Sequence, residues 1–234
     1  MWNRLKQLVA GQSKEPAPPE PAESPSVQLQ FDDARPEVEE FLKIDIGDEK
    51  ADSEQGEQAI SVMKKMAQDI DQIERAAKGD PNNTIDGGLW LSGAGYGNLA
   101  QEMTKRFKEA GWLDHEQFAS ALWARATLAV NARHHHLVGP AMLANADCQQ
   151  RLGNPDRATH ICTSIIKDFI FLIGTWQQKQ TEIPVAEDRT ALECLQTAIE
   201  TLLKLGTTEI DGTDLKASGE HIRQILDRRP SNEQ

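Results

Sequence analysis

Apolar residues recur at intervals of three and four from Ala59 to Leu226. Such intervals place apolar side chains on one face of an α-helix. Valine and isoleucine seldom alternate with polar residues, as they would in a half-buried strand. The sequence therefore predicts an all-α fold: an irregular helical array or bundle of six to seven helices over residues 53–229. Residues 230–234 are expected to be a frayed tail.

The first of these helices carries a heptad-like seam and ends before Gly79-Asp80-Pro81. Because the seam is shorter than four heptads, we expect a core-facing helix, with a coiled-coil dimer as the alternative. The sequence leaves the oligomeric state open. The seam consists of Ala59, Met63, Met66, Ile70, Ile73 and Ala77.

The most apolar segment runs from Ile161 to Trp176. Phe171 falls on its polar face, where we expect a neighbouring helix to cover it; the alternative is an exposed anchor for a partner protein. The run Phe169–Ile173 is too short to cross a bilayer, and the sequence predicts no transmembrane helix. The apolar face consists of Ile161, Cys162, Ile165, Ile166, Phe169, Leu172, Ile173 and Trp176.

Residues 1–10, MWNRLKQLVA, form a short amphipathic segment. Its apolar face carries Trp2, Leu5 and Leu8, and two basic residues lie on the other face. Because isolated helices of this length are marginal in water, a frayed start is expected. The alternatives are a foothold on a membrane surface, which would make the protein a tethered regulator, or a peptide that docks into a partner. A secretory signal is not predicted.

Residues 11–52 are expected to be a disordered arm. The alternative is that its apolar cluster folds onto the domain or onto a partner; the cluster consists of Val38, Phe41, Leu42, Ile44 and Ile46. The first part of the arm is rich in proline, which favours extended, solvated chain. Residues 31–57 contain eleven acidic residues against three basic ones, and self-repulsion keeps such a segment open. The formal net charge of the whole chain is -12, which argues against binding nucleic acid through phosphate contacts.

Glycines are concentrated in the stretch DGGLWLSGAGYGNLA, which we expect to be a flexible connection with a short strand at Leu89–Leu91. The residues from Gly95 to Ala100 also fit the dinucleotide fingerprint G-x-G-x-x-A. In that alternative, Gly93, Gly95, Tyr96 and Gly97 would help hold a phosphate-bearing ligand in the loop 92–98. No second strand follows at the spacing of a βαβ unit, so no cofactor is predicted.

Three consecutive histidines, His134, His135 and His136, are expected to end a helix. A positive charge there interacts favourably with the helix dipole. Adjacent helical residues point about a hundred degrees apart, so the three cannot reach one ion without unwinding. The alternative is a small-ligand or metal-binding helical protein that uses these histidines together with the loop 92–98.

Three cysteines, Cys148, Cys162 and Cys194, lie within apolar helical patterns, and none forms a C-x-x-C pair. They are expected to be buried, reduced thiols of a cytoplasmic protein. The sequence contains no G-x-S-x-G, H-E-x-x-H or P-loop motif. This absence favours a protein that is not an enzyme.

The stretch 140–173 predicts two helices joined by a tight turn. Pro140 opens the first helix, Gly153 ends it, and Asn154-Pro155 begins the second. This pair resembles a tetratricopeptide-type helical hairpin. The resemblance implies a scaffold that binds a protein or peptide, not an enzyme. Matching positions are Met142, Ala146, Leu152-Gly153-Asn154 and Ala158, whereas Asn145, Gln149, Cys162 and Ile170 depart from the pattern.

Overall fold

A computed structural model of the chain describes residue 44 and residues 51–79, 87–179 and 182–228. These residues form eight helical segments and one short antiparallel hairpin, in which Glu209 pairs with Asp214 and Ile210 with Thr213. The predicted all-α fold is confirmed. The elements are α1 (Glu54–Gly79), α2 (Gly87–Ala110), α3 (Leu113–Asn131), α4 (His135–Arg151), α5 (Pro155–Phe169), α6 (Phe171–Gln178), α7 (Ala186–Lys204), β1 (Glu209–Ile210), β2 (Thr213–Asp214) and α8 (Leu215–Leu226).

Helices α5 and α6 form one rod, because Ile170 between them keeps helical dihedrals (φ -57°, ψ -28°). Counted this way, the described residues contain seven helices. By length and composition alone, the 24-residue rod Pro155–Gln178 qualifies as a membrane span. A core helix meets the same criterion, and the predicted apolar face of this rod is buried apart from Ile161, which is partly buried.

Two apolar clusters form the core of the described residues. The first joins α1, α2 and α3, and the second joins α4 to α8 with one residue of α3. Trp123 of α3 packs against both clusters, and α3 also contacts α1, α2 and α4. Helix α3 therefore connects the two halves of the described structure.

The heptad-like seam of α1 faces the core, as the sequence predicts. Ala59, Met63, Met66 and Ile70 are fully buried, and only Ala77 at the end of the seam is partly exposed. Arg125 of α3 holds the outer side of α1, donating from Nε and Nη2 to the two carboxylate oxygens of Glu74 at 3.0 Å.

Of the predicted arm over residues 11–52, the structure describes Ile44, Ala51 and Asp52. Ile44 is only 3% exposed and belongs to the first cluster. Its carbonyl accepts a hydrogen bond of 3.0 Å from Nη2 of Arg106. The acidic arm therefore has at least one residue packed on the helices. The rest of the predicted arm, residues 1–10 and the tail 230–234 that was predicted to be frayed lie outside the described residues.

The turn between α4 and α5 forms as the sequence predicts. Gly153 has φ +76°, its N–H bonds to the Gln150 carbonyl, and the N–H of Asn154 bonds to the Gln149 carbonyl at 2.9 Å. This pairing satisfies carbonyls at the end of α4, and glycine adopts the positive φ without a Cβ clash. Pro155 then occupies the first turn of α5.

The predicted start of α4 at Pro140 is wrong. Helix α3 ends at Asn131 and α4 begins at His135, so the three histidines lie at a helix start and not at a helix end. The amides of Leu137 and Val138 both bond to the His134 carbonyl, which fixes the first turn. Pro140 lies inside the helix, where it has no N–H to donate to the carbonyl of His136.

The prediction of a loop over residues 92–98, with a strand at Leu89–Leu91, is also wrong. The whole stretch lies inside α2, which packs closely against α3. A Cβ placed on Gly93 would lie 2.4 Å from Cγ1 of Val130, and one on Gly97 would lie 3.5 Å from Oγ1 of Thr127. Glycine at these positions permits the close approach of the two helices.

Candidate functional site

Two features of the surface are candidates for binding another molecule: an aromatic cluster and a cleft. The first is the aromatic cluster of His135, Phe169 and Phe171, where the start of α4 meets the junction of α5 and α6. The imidazole of His135 lies edge-on to the buried ring of Phe169 at 4.7 Å and to the ring of Phe171 at 5.2 Å between centroids. Edge-to-face contacts at this separation are favourable for aromatic rings.

Phe171 is 52% exposed, so the expectation that a neighbouring helix covers it is wrong. The following residues of α6 continue the buried face of the rod, which turns Phe171 outward. One side of its ring is nevertheless held by His135. The aromatic cluster therefore presents a large apolar surface in a supported position.

Burial and two nearby carboxylates have opposite effects on the pKa of His135. Burial lowers the pKa of His135 below its ordinary value, while Asp168 and Asp188 partly oppose this change. Asp188 also accepts a hydrogen bond of 3.1 Å from Nε1 of Trp176, which fixes its position. Burial therefore favours the neutral imidazole at the centre of the cluster, with two acidic groups nearby.

The second feature is a cleft between α2, α3 and the start of α4, with a volume of about 250 Å³. Thr127 and Asn131 of α3 lie in its wall and are only 6% and 8% exposed. No hydrogen bond of either side chain is found within the described part of the chain. The cleft is lined by Gly93, Ala94, Gly97, Asn98, Gln101, Trp123, Thr127, Asn131, His136, Leu137 and Pro140.

The three histidines do not converge on one point. His135 joins the aromatic cluster, His136 lines the cleft, and His134 is exposed with its ring 5.8 Å from that of His136. Among the residues that the structure describes, no three His, Cys, Asp or Glu side chains gather closely enough to hold a metal ion.

The four residues that were predicted to hold a phosphate-bearing ligand also do not come together at one point. Gly93 and Gly97 line the cleft, whereas Tyr96 is buried in the first apolar cluster and donates a hydrogen bond of 2.8 Å to Asp69. Gly95 has open space around it. Only the first four amides of a helix are free of helical partners, so the amides of residues 95–98, deep in α2, cannot cradle a pyrophosphate.

The structure contains a buried ion pair that the sequence does not indicate. Glu116 of α3 is 1% exposed, and its Oε1 accepts a charge-assisted hydrogen bond from Nη2 of Arg151 at the end of α4. Arg151 also contacts Asp147 at 3.2 Å, and Asp147 contacts Lys108 at 2.8 Å. Glu116 and Arg151 are 35 positions apart, so no local spacing indicates the pair.

The three cysteines are free and buried, as predicted. Burial raises the pKa of Cys148 and of Cys162 to about 11, and that of Cys194 to about 12. Thiols with such pKa values are weak nucleophiles at neutral pH because the thiolate is scarce.

Trp2, Leu5 and Leu8 lie outside the described residues, so their predicted role in binding stays a prediction. Comparisons of the chain with protein-family models, with curated proteins and with solved structures find no match.

Proposed function

We propose that this chain is a non-catalytic protein-interaction module that binds its partner through the aromatic cluster of His135, Phe169 and Phe171. The observation that carries the proposal is the half-exposed ring of Phe171, held from one side by His135. Aromatic residues dominate the energetics of protein interfaces, and a side chain that is already positioned loses less conformational entropy on binding.

The surroundings of the cluster indicate the chemistry of the partner. Val185, 57% exposed, lies just before α7, three residues from the Asp188 that acts on His135. Asp168 is exposed three positions before Phe171, on the adjoining turn of the rod. We expect a partner segment that presents an apolar side chain beside a lysine or arginine.

The resemblance of the α4–α5 hairpin to tetratricopeptide units supports the same proposal. The small residues at matching positions, Ala146 and Ala158, are both buried, and the two helices contact each other. Scaffolds of this type bind proteins or peptides.

The test compares full-length protein with two single variants in quantitative pull-downs. Phe171→Ala removes the exposed ring, and Leu128→Ala removes an apolar side chain, 38% exposed, from α3 as the control. A hot-spot loss of about 2 kcal/mol corresponds to a roughly thirtyfold weaker complex. The proposal predicts that partners recovered by the wild type persist with Leu128→Ala and are lost with Phe171→Ala.

Circular dichroism should first show that both variants keep the helical content of the wild type. If Phe171→Ala recovers the same proteins in the same amounts, or if the wild type recovers none above background, the cluster is not the interaction site.

A further inference from the structure

The cleft between α2, α3 and α4 shares no residue with the aromatic cluster, although His136 in its wall directly follows His135. None of the three aromatic-cluster residues lines it. Binding of a ligand in this cleft would therefore be independent of the proposed protein partner.

The unpaired polar side chains of the cleft are its most informative feature. Thr104, Thr175, Thr190 and Thr197 each donate a hydrogen bond to the carbonyl four residues earlier, at 2.7 to 3.1 Å. Thr127 makes no such bond within the described structure, although it is more deeply buried than three of these four. The hydroxyl oxygen is not among the fully enclosed unpaired atoms of the described residues, so it faces the open cleft, where a bound molecule can pair with it.

Asn131 strengthens this inference from the next turn of the same helix. It follows Thr127 by four positions, so the two side chains lie one above the other on one face of α3. Both line the cleft, and both are more than nine-tenths buried. A hydroxyl and a carboxamide together offer donors and acceptors side by side.

The rest of the lining sets the chemical class of the ligand. Asn98 and Gln101 of α2 add two more carboxamides, and the indole of Trp123 adds an aromatic surface. None of the described residues that line the cleft is Asp, Glu, Lys or Arg. A charged ligand would lose its hydration there without gaining a counter-charge.

We infer that the cleft binds a small uncharged ligand that carries adjacent hydrogen-bond donors and acceptors on a compact ring. Thr127 and Asn131 hold its polar edge, and Trp123 offers a surface for the ring. Gly97 leaves the space beside the Thr127 hydroxyl that the ligand occupies. Nucleobases and monosaccharides share this chemistry, and the test separates them.

The test uses a matched pair of glycine substitutions in the full chain. A methyl group added at Gly97 would lie at ordinary contact distance from the protein, 3.5 Å from Thr127 Oγ1, and would fill part of the cleft. A methyl group added at Gly95 meets nothing within 4 Å, and Gly95 does not line the cleft. Gly97→Ala should therefore block the ligand, whereas Gly95→Ala should not.

Binding is measured by saturation-transfer NMR and calorimetry with adenine, uracil and glucose as neutral probes, and with adenosine monophosphate and citrate as charged ones. We expect at least one neutral probe to bind, and each charged probe to bind more weakly than it. Gly97→Ala should weaken that binding at least tenfold, and Thr127→Val should weaken it at least about fivefold. Gly95→Ala and Phe171→Ala should leave it unchanged, the latter because the protein-binding proposal concerns a different surface.

The inference is overturned if no neutral probe binds more tightly than about 10 mM, which would leave bound water as the partner of Thr127. Equal binding by Gly97→Ala and wild type, or preference for the charged probes, would overturn it as well. If Gly97→Ala proves unfolded, Thr127→Val alone decides the result, because valine keeps the shape of threonine.

Discussion

Gly93 of α2 lies directly against Val130 of α3: a Cβ built on Gly93 would be 2.4 Å from Cγ1 of Val130. Valine in a helix has one strongly preferred rotamer, so its methyl group cannot turn aside. The contact explains why a glycine-rich stretch forms a helix here. Each interior glycine costs the helix about 1 kcal/mol relative to alanine, and the approach of two helices offsets that cost.

Gly93→Ala is expected to destabilise the protein by about 1–3 kcal/mol, because the added methyl group forces α2 and α3 apart. Gly95→Ala, in the same helix with open space around it, should instead stabilise the protein by up to about 1 kcal/mol. Urea unfolding followed by circular dichroism measures both. If the two variants shift the midpoint in the same direction, the described packing of α2 on α3 is incorrect.

Thr127→Val is expected to change the free energy of unfolding by less than about 0.5 kcal/mol when no ligand is present, because the hydroxyl faces the cleft and makes no hydrogen bond within the described chain. Thr104→Val is the matched control, since the Thr104 hydroxyl donates to the Ala100 carbonyl at 2.7 Å. The control should be destabilised by about 0.5–1.5 kcal/mol. Thermal unfolding should show a melting temperature near that of the wild type for Thr127→Val and a lower one for Thr104→Val.

Arg151→Met is expected to destabilise the protein by about 3–5 kcal/mol, because Glu116 is left as a buried carboxylate without its cation. Lys108→Met provides the comparison. The Lys108–Asp147 pair is half exposed and should contribute only about 0–1 kcal/mol. Chemical denaturation at pH 7 distinguishes the two, and losses of similar size would show that Glu116 does not depend on Arg151.

Stability is expected to fall as the pH drops below about 6.5, the ordinary pKa of histidine, partly because of His135. Burial lowers the pKa of His135 in the folded state, so the unfolded chain takes up this proton at a higher pH than the folded one. Protonation therefore stabilises the unfolded state first. The free energy of unfolding keeps falling until the pH reaches the folded-state pKa. His135→Gln should flatten the dependence of unfolding free energy on pH in this window.

The control for that experiment is His221→Gln, at an exposed position on α8. Denaturation midpoints collected between pH 5 and pH 8 should show a steeper slope for wild type and His221→Gln than for His135→Gln. A slope that His135→Gln leaves unchanged would contradict the burial of this imidazole.

All three cysteines are expected to resist alkylation in the native protein. Their raised pKa values, about 11 for Cys148 and Cys162 and about 12 for Cys194, keep the thiolate scarce at pH 8, and burial limits access. Mass spectrometry after treatment with iodoacetamide should find no rapid modification without denaturant. With denaturant, three adducts should form. Fast modification of any one thiol in the native state would show that its helix opens locally.

The helices themselves could be predicted from the sequence, because helical periodicity is a local property. The seam from Ala59 to Ile73 and the buried face from Cys162 to Trp176 were both identified this way. The turn at Gly153 was also predictable, since the left-handed conformation there requires a residue with no Cβ.

The candidate sites could be predicted only in part. The sequence offers Phe171 as a possible anchor, but its exposure depends on how α6 packs, and no local pattern encodes that packing. Thr127 and Asn131 gave no signal at all, because an unpaired polar group is recognised only once its surroundings are known. His136 and Gly97, considered separately in the sequence, meet in one cleft.

Patterns that act within a few residues, such as the 3.6-residue period and the glycine turn, are enough to specify amphipathic helices with buried thiols. Contacts between distant residues are needed to make the glycine-rich stretch helical, to place Pro140 inside α4 and to pack Ile44 against the helices. The two kinds of effect differ in size. Local preferences are worth about 1 kcal/mol per residue, and burial against a facing helix, which no local pattern reveals, is large enough to override them.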